Sequence, residues 1–427
     1  MSPQSSPGGA PALPAPHDAG PSGRASIAPS APRKVRQRLP LPALLVMALM
    51  GFILIATETM PAGLLPQIAA GLDVSLGTAG QLVSAYALGT VLLSIPAMAL
   101  TRGMRRKPVF LVGIVGFLLV NTVAALSADI ALTLAARFVA GAFSGLLWGM
   151  LAGYARRITD PGLAGRALAI ASLGTPLGLA LGTPIGSWLG AGFGWRWSFG
   201  ALTALTLLAL VLAAVLVPDA PGQRAESQIS LARVLAIPGV AAILAVIFAW
   251  MLAHNTVYTY FAAYLGSARV PVTVDVALAV FGACALLGLG ITGALIDRAP
   301  RLLVLASLLL FLAAGGIFFT GSHSPAAVLL ALALWGVSFG GAAPQLQTAI
   351  SVAGGENADM ANSLLGVAFN LAIFAAGVLG AVLLGPFEGS SLPLPMVGLG
   401  AIALAIVAVS RRTAFPPRSH SGPPMRA

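Results

Sequence analysis

One carboxylate of this 427-residue chain lies deep inside a long apolar stretch. Glu58 stands between Ile55 and Pro61, whereas the other eleven Asp and Glu residues fall in predicted loops, tails or helix ends. A charge inside a membrane-crossing stretch costs about 2.5–3.5 kcal/mol. A carboxyl group in a medium of low dielectric constant can bind and release a proton near neutral pH. Glu58 is therefore a candidate proton-coupling residue, and the alternative is a neutralised residue that pins helix packing.

Two bases lie inside other apolar stretches, namely Arg137 and, alone among four histidines, His254. A rise of 1.5 Å per residue puts Glu58 about 25 Å from the start of its helix and Arg137 about 10 Å from the far end of the membrane. Both then lie in the same half of a core about 30 Å thick, which permits contact. Arg137 would favour the charged form of Glu58, and proton or cation binding would loosen the pair. The alternatives are an Arg137 bonded to backbone carbonyls and a structural, hydrogen-bonded His254.

Polar and aromatic residues recur in several of the apolar stretches. His254, Tyr258 and Phe261 share one helix face at spacings i, i+4 and i+7. Buried polar groups are expensive in lipid unless they bond to each other or line water, so together they predict a hydrated cavity. For any single Asn or Gln the alternative is hydrogen bonding between helices. The candidate cavity residues are Gln81, Tyr86, Trp148, Asn255, Tyr258, Gln345 and Asn370.

The elements that position these residues are apolar helices. Hydrophobic residues make up 58% of the chain and charged residues 8%, and the mean hydropathy is +0.94. Soluble proteins carry about 25% charged residues, so most of this chain faces lipid. A spanning helix needs about 20 apolar residues, and twelve stretches qualify. These predicted spans 1 to 12 are 41–66, 79–100, 108–127, 130–154, 163–190, 196–217, 239–265, 274–296, 301–320, 325–352, 359–385 and 392–410.

The basic residues predict the orientation of these spans. With a cytoplasmic N-terminus, 20 of the 23 Lys and Arg residues fall on the cytoplasmic side, and only Arg196 and Arg269 fall outside. This asymmetry is the positive-inside bias. We therefore predict a multi-pass protein of the bacterial cytoplasmic membrane with both termini in the cytoplasm. The net charge of +11 is explained by topology and needs no nucleic acid partner.

Recurring features predict two related bundles of six helices. Gly141-x-x-x-Gly145 in span 4 recurs as Gly336-x-x-x-Gly340 in span 10, and Glu58 in span 1 corresponds to His254 in span 7. An offset of 195–196 residues relates these features, as expected for parallel repeats. The predicted units are a disordered, Pro- and Ser-rich tail over 1–40, a bundle over 41–217, a linker over 218–238, a bundle over 239–410 and a tail over 411–427.

Span 5 carries the small residues Gly178, Gly182 and Gly186 together with Pro184. Small residues at this spacing let helix backbones approach, and proline bends or softens a helix. The element is hinge-like, with generic close packing as the alternative. The single cysteine, Cys284, excludes a disulfide within the chain and is interpreted as a small packing residue.

Several of these motifs resemble the major facilitator superfamily, specifically its drug:proton antiporter branch near the bacterial sugar and arabinose-type efflux permeases. Arg137-x-x-x-Gly141 is similar to the helix-four signature associated with proton transfer. The glycines of span 5 resemble the helix-five antiporter motif, with Pro184 one place later than usual. Thr57-Glu58-x-x-Pro61 resembles the first helix of the sugar-efflux group. The resemblance covers about residues 41–410.

The loop after span 8 resembles the superfamily's cytoplasmic signature, in which charged residues gate the space between helices. The copy after span 2 departs from it, because Ala97 replaces the Gly and Thr101 replaces the Asp. The basic cluster of that loop is retained. The gating residues that the resemblance implies are Arg102, Arg105, Gly293, Asp297, Arg298 and Arg301.

The resemblance implies an all-α membrane protein with two pseudo-symmetric six-helix bundles, the major facilitator fold. It implies proton-coupled efflux of small molecules such as drugs, sugars or related metabolites by rocking of the two bundles. The expected partners are the substrate, protons and the lipid bilayer, with no metal or cofactor beyond the proton gradient, and we expect a monomer. A facilitator or importer with the same fold is the alternative. A membrane-embedded enzyme is a distant one, because no clustered acid, base or metal-ligand set is evident.

Overall fold

The computed structural model of the protein describes residues 39–222, 231–387 and 389–415. The predicted tail over 1–40, apart from its last two residues, lies outside the described residues, as do residues 223–230 of the linker and 416–427 of the C-terminal tail. Within the described residues, eleven helices are long and apolar enough to cross a membrane. A twelfth apolar helix, Leu394–Val409, has 16 residues and is therefore about 24 Å long. The chain is an all-helical, multi-pass membrane protein.

The helices follow the twelve predicted spans in order. Their ends differ from the predicted ones by at most about three residues, except that a short helix, Leu65–Gly71, extends span 1. A further short helix, Leu231–Leu235, lies in the linker. The spans consist of Leu41–Gly63 with Leu65–Gly71; Leu76–Thr101; Arg106–Leu126; Ile130–Arg157; Ala164–Ser172, Gly174–Leu177, Gly178–Gly182 and Thr183–Phe193; Trp195–Leu216; Val240–Thr259 with Phe261–Ala268; Val274–Leu295; Pro300–Thr320; Pro325–Gly340 with Ala342–Gly354; Ala358–Phe387; and Leu394–Val409.

Proline accounts for the irregular places in spans 1 and 5. Pro61 lies inside the helix Leu41–Gly63, which ends two residues after this proline. In span 5, the π-helical turn Gly178–Gly182 precedes Pro184. Proline has no N–H, so the carbonyl of Ala180 lacks its usual helical donor and the hydrogen-bond ladder shifts. Span 5 thus contains a local interruption in the middle of its glycine-rich segment, and its role as a hinge-like element stays a prediction.

The two sides of the bundle differ in charge. The side on which odd-numbered spans begin, here named the basic face, carries most of the described cations. The side on which odd-numbered spans end is named the opposite face, and Arg196 and Arg269 lie there. The described cations of the basic face are Arg102, Arg105, Arg106, Lys107, Arg156, Arg157, Arg166, Arg233, Arg298, Arg301, Arg411 and Arg412.

A repeated helix contact relates the two bundles. Gly141 of span 4 packs against the backbone carbonyl of Tyr86 in span 2, so a Cβ there would collide with that oxygen. Gly336 of span 10 packs in the same way against the carbonyl of Phe281 in span 8. Gly336 and Phe281 follow Gly141 and Tyr86 by 195 residues each, which is the offset found in the sequence. The two bundles therefore share a contact as well as a motif.

The bundles are joined by hydrogen bonds toward the opposite face. Gln81 Nε2 donates to the carbonyl of Gly377 at 3.1 Å, and Ser84 Oγ donates to that of Phe374 at 3.1 Å. Near the basic face, residues 98–100 of span 2 are all exposed. These two hydrogen bonds between the bundles therefore come from the half of span 2 that is nearer the opposite face.

Candidate functional site

Glu58 lies about three-quarters of the way along the helix Leu41–Gly63 of span 1 and is half-buried. The residue before it, Thr57, is completely buried, and Thr59 after it is half-buried. Among the described residues, no cation lies within 4.0 Å of the Glu58 carboxylate, although Arg137 is close enough for a Coulombic interaction. The carboxylate is thus held inside the helix bundle without a fixed ionic partner.

Arg137 is completely buried and links three spans. From span 4, its Nη1 donates to the carbonyl of Thr57 in span 1 at 2.9 Å, and its Nε donates to that of Leu82 in span 2 at 3.2 Å. Its guanidinium carbon lies 4.5 Å from the ring centroid of Tyr86, a cation–π distance. These are the backbone bonds expected of an anchoring arginine, and they place it beside the residue that precedes Glu58.

The contact between Arg137 and Thr57 has a cause in the sequence. Residue 61 would normally donate its N–H to the carbonyl of Thr57, four residues earlier, but Pro61 has no N–H. Arg137 supplies the missing donor. Its second terminal nitrogen, Nη2, is buried and has no hydrogen-bond partner among the described residues. One donor of Arg137 therefore bonds to the carbonyl that Pro61 leaves without a donor in span 1. Another donor, Nη2, has no partner among the described residues.

His254 forms the corresponding link in the second bundle, between spans 7 and 10. Trp335 Nε1 donates to His254 Nδ1 at 3.0 Å, so this ring nitrogen carries no proton. The imidazole stacks on Phe339 with centroids 3.4 Å apart and planes 5° apart. It also stacks on Tyr258, with centroids 5.3 Å apart. No described residue bonds to Nε2, so His254 retains one ring nitrogen for another partner.

Three of the predicted cavity residues remain partly exposed. The side chains of two of them form hydrogen bonds only within their own helices, and that of the third forms none with a described residue. Asn255 donates to the carbonyl of Met251 at 2.9 Å, and Asn370 donates to that of Gly366 at 3.1 Å. Trp148 lies beside Gly51 of span 1, two turns from Glu58. Their role in lining a cavity stays a prediction.

The other four predicted cavity residues are engaged in contacts between helices. Gln81 joins the bundles, and Tyr86 lies under Arg137 with its hydroxyl donating to the carbonyl of Leu54 at 3.4 Å. Gln345 donates to Thr292 Oγ1 at 2.9 Å and to Ser307 Oγ at 3.1 Å, which ties span 10 to spans 8 and 9. Tyr258 donates to Thr183 Oγ1 at 3.0 Å. For Gln345, the structure has the hydrogen bonding between helices that was the alternative interpretation.

The glycines of span 5 pack along span 1. Gly178 lies against Ile55, Gly182 against Ala56 and Gly186 against Met60. Span 5 therefore follows the segment of span 1 that contains Glu58. Because Pro184 is part of the same segment, the softened part of span 5 lies directly beside the carboxylate-bearing part of span 1.

The loop after span 2 obtains an acid from elsewhere in the chain. Thr101 donates to the carbonyl of Ala97 in its own helix at 2.8 Å and takes no part in an ion pair. Asp219, at the start of the linker, instead forms an ion pair with Arg105 at 2.5 Å. Its Oδ1 also accepts from the backbone N–H of Lys107 at 3.0 Å. The acid that the first-half motif lacks at Thr101 is thus supplied by Asp219.

The loop after span 8 is differently arranged. Asp297 and Arg298 are exposed, and neither forms an ion pair with a described residue. Nothing lies within 4 Å of the place where Gly293 would carry a Cβ. Arg301 turns to the end of span 12 and donates to the carbonyls of Val407 and Phe415 at 3.0 and 2.9 Å. These gating residues therefore face open space, except for Arg301.

Sequence reasoning missed three contributors, namely Asp219, Thr59 and Thr183. Asp219 is 114 residues from its partner Arg105, and a loop acid carries no local signal of such a pairing. Thr59 and Thr183 hydrogen-bond to each other at 2.8 Å between spans 1 and 5. Their signal was available, because each is a polar residue near a proline in an otherwise apolar helix.

The contacts of Asp219 depend on its ionisation. The N–H of Lys107, then the N–H of Ala220 and the charge of Arg105, hold the pKa of Asp219 below its usual value. A carboxylate with a lowered pKa in the folded state stabilises its contacts above the unfolded pKa, and it loses that stabilisation as pH falls through the folded pKa. For an aspartate this window lies below about pH 4.

We expect Asp219→Ala to free the start of the linker from the loop after span 2. The amides of Lys107 and Ala220, which donate to Asp219 Oδ1, should exchange hydrogen severalfold faster, as measured by mass spectrometry. The wild-type protein should show the same local change below about pH 4, after correction for intrinsic exchange rates. Asp129→Ala is the control, because Asp129 caps Leu132 at the opposite face. Unchanged exchange in Asp219→Ala would contradict the role of this acid.

Comparison with known proteins places this architecture in a family. The sequence profile of the Major Facilitator Superfamily matches residues 47–377. A chloramphenicol efflux pump of Mycobacterium tuberculosis (strain CDC 1551 / Oshkosh) is 28% identical over 351 residues, covering 79% of this chain and 84% of the relative. A probable sugar efflux transporter of Helicobacter acinonychis (strain Sheeba) is 24% identical over 377 residues, covering 87% of this chain and 95% of the relative.

The fold is also found among solved structures. A crystal structure of a D-xylose–proton symporter matches with a TM-score of 0.68 at 16% identity, covering 88% of this chain and 97% of the other. At this identity the likeness concerns the fold. The family match, which extends from span 1 into span 11, agrees with the twelve-helix architecture. The chain belongs to the major facilitator superfamily.

Proposed function

We propose that this transporter exports small molecules in exchange for protons by alternating access. The observation that carries the proposal is the Glu58 carboxylate, which lies within span 1, half-buried and without a fixed ionic partner in the described chain. A carboxylate in such a place can gain and lose a proton as its surroundings change. It is the acid best suited to couple proton movement to a change in the packing of span 1.

Arg137 supports a switch between two states of Glu58. When Glu58 is ionised, the free Nη2 of Arg137 favours its charge and draws span 1 toward span 4. When Glu58 is protonated, this attraction is lost and the carboxyl can donate a hydrogen bond instead. Proton and substrate would then occupy the cavity alternately, and the proton gradient would drive the cycle.

The arrangement of the bundles supports a state that is open toward one side. Hydrogen bonds from Gln81, Ser84 and Tyr258 join the bundles toward the opposite face. The gating residues Asp297 and Arg298 are unpaired among the described residues at the basic face. With both termini in the cytoplasm, as we propose, the basic face is cytoplasmic and the transporter is open inward, ready to load its substrate.

The substrate classes that we propose are neutral or cationic amphiphilic compounds, such as drugs, and sugars or related metabolites. One relative named above is a chloramphenicol efflux pump, and another is a probable sugar efflux transporter. The aromatic surface of His254, Tyr258 and Phe339 suits the apolar part of such a molecule. Glu58 in the first bundle and the free Nε2 of His254 in the second bundle provide polar groups on the two sides of the proposed cavity. We propose that a monomer carries the complete transport path.

The experiment that tests this function is transport by the purified protein in liposomes. A pH gradient of imposed direction is applied, and the movement of labelled chloramphenicol and of several labelled sugars is followed. For an antiporter, we expect substrate to accumulate against its own gradient on the side from which protons leave. Equilibration without any effect of the pH gradient would instead identify a facilitator, and accumulation together with protons would identify an importer.

A further inference from the structure

Three hydroxyl groups form a continuous hydrogen-bonded chain between the two bundles. Tyr258 Oη donates to Thr183 Oγ1 at 3.0 Å, and Thr183 Oγ1 donates to Thr59 Oγ1 at 2.8 Å. Thr59 donates in turn to the carbonyl of Ile55 at 2.9 Å, one turn earlier in span 1. The chain therefore runs from span 7 in the second bundle, through span 5, to the residue that follows Glu58.

The chain is protected from solvent. Thr183 is completely buried and Tyr258 is 5% exposed, whereas Thr59 is half-buried. A polar group buried in a membrane protein is costly when it loses its partner. Separation of the bundles at this point would break the contact between Tyr258 and Thr183 and uncover both hydroxyls. The hydrogen bond between Tyr258 and Thr183 therefore favours two discrete arrangements of the bundles, with the bond formed or with it broken, over a gradual separation.

Each of the three helices is interrupted close to its hydroxyl. Thr183 directly follows the π-helical turn Gly178–Gly182, and Tyr258 precedes the break at Tyr260 by two residues. Thr59 lies two residues before Pro61, after which span 1 breaks at Leu64. Interruptions of this kind let a helix bend at a defined place. The helices can therefore move locally when the hydroxyl chain opens.

The chain also contacts both walls of the proposed transport path. At one end, Thr59 is the next residue after Glu58. At the other end, the Tyr258 ring stacks on His254, which itself stacks on Phe339. The neighbouring bonds of Gln81 and Ser84 end on backbone carbonyls of span 11, and that of Tyr260 ends on the carbonyl of Gly77 in span 2. None of these bonds involves Glu58, His254 or a residue adjacent to either. The hydroxyl chain is thus the connection between the bundles that a change at Glu58 or His254 reaches first.

We propose that Thr59, Thr183 and Tyr258 form a latch that holds the opposite face closed and must open for that face to release substrate. The proposal rests on alternating access as the function of the protein. The latch hydroxyls act by positioning the bundles, because each bonds to another hydroxyl or to a backbone carbonyl. The part of Tyr258 that belongs to the proposed substrate surface is its ring. Their loss should shift the balance between the two conformations without removing the cavity.

The test measures the distance between the bundles at the opposite face. Spin labels are placed at Ala128 and Ala326, which are exposed at the opposite face on the first and second bundle, in a Cys284→Ala background. Pulsed electron paramagnetic resonance then gives the populations with short and long distances. In Tyr258→Phe, which keeps the ring and loses the hydroxyl, we expect the ratio of long to short distances to rise about fivefold. Thr183→Val should have a similar effect.

Tyr264→Phe is the matched control. Its hydroxyl donates to the carbonyl of Phe318 at 2.7 Å, a bond shorter than that of Tyr258 and one that lies within the second bundle. This variant should leave the distance populations unchanged. The latch is rejected if Tyr258→Phe and Thr183→Val both keep the wild-type populations, or if Tyr264→Phe shifts them equally. Because the measurement uses neither substrate nor proton gradient, a protein that fails the transport assay can still support or reject the latch.

Discussion

Glu58→Gln should abolish proton-driven transport while preserving the fold. Glutamine has nearly the shape of glutamic acid but cannot bind or release a proton at physiological pH. The wild-type carboxylate has no hydrogen bond or ion pair with a described residue that the substitution would break, so we expect little loss of stability. Substrate accumulation driven by a pH gradient in proteoliposomes should fall to the level of protein-free liposomes.

Two controls separate loss of coupling from loss of the transporter. Exchange of labelled for unlabelled substrate without a pH gradient needs no net proton movement, and Glu58→Gln should retain it. Glu356→Gln makes the same chemical change at an exposed position on the basic face and should transport like the wild type. Gradient-driven accumulation at the wild-type rate in Glu58→Gln would assign Glu58 to helix packing instead.

The fold could be predicted from the sequence because its main determinant is the length of apolar stretches. A membrane requires continuous helices with satisfied backbone groups, so hydropathy alone places most of the spans. The breaks within the helices are harder to predict, because they depend on which backbone carbonyl a proline leaves without a donor. The short helix Leu65–Gly71 follows Pro61 and the π-helical turn in span 5 precedes Pro184, but their form is set by packing against neighbouring spans.

The candidate site could be predicted only in part. Charges in apolar stretches identified Glu58, Arg137 and His254, because burial of an ionisable group is costly and leaves a clear signal. The partners of polar residues left no such signal. Gln345 bonds within its bundle, whereas Gln81 bonds across to the other, although both are amides in apolar helices. The direction in which each amide points is decided by tertiary packing.

Arg137→Met should destabilise the protein and remove coupling, and the two effects can be separated. Methionine fills much of the same space but donates no hydrogen bond to the carbonyls of Thr57 and Leu82. A buried polar group left unpaired costs about 1–3 kcal/mol, so we expect a loss of this size in the free energy of unfolding. Arg137→Lys keeps the charge but cannot bond to both carbonyls as the planar guanidinium does. It should therefore lose free energy of unfolding while it keeps part of the pH-driven transport.

Pro61→Ala provides the decisive comparison, because it restores an N–H that can bond to the carbonyl of Thr57. Added to Arg137→Met, it should recover about 1 kcal/mol of stability, which a double-mutant cycle would show as non-additivity. Coupled transport should stay absent in the double variant, since no cation faces Glu58. If the double variant regains pH-driven transport together with its stability, then Arg137 acts only by supplying the donor that Pro61 removes from span 1.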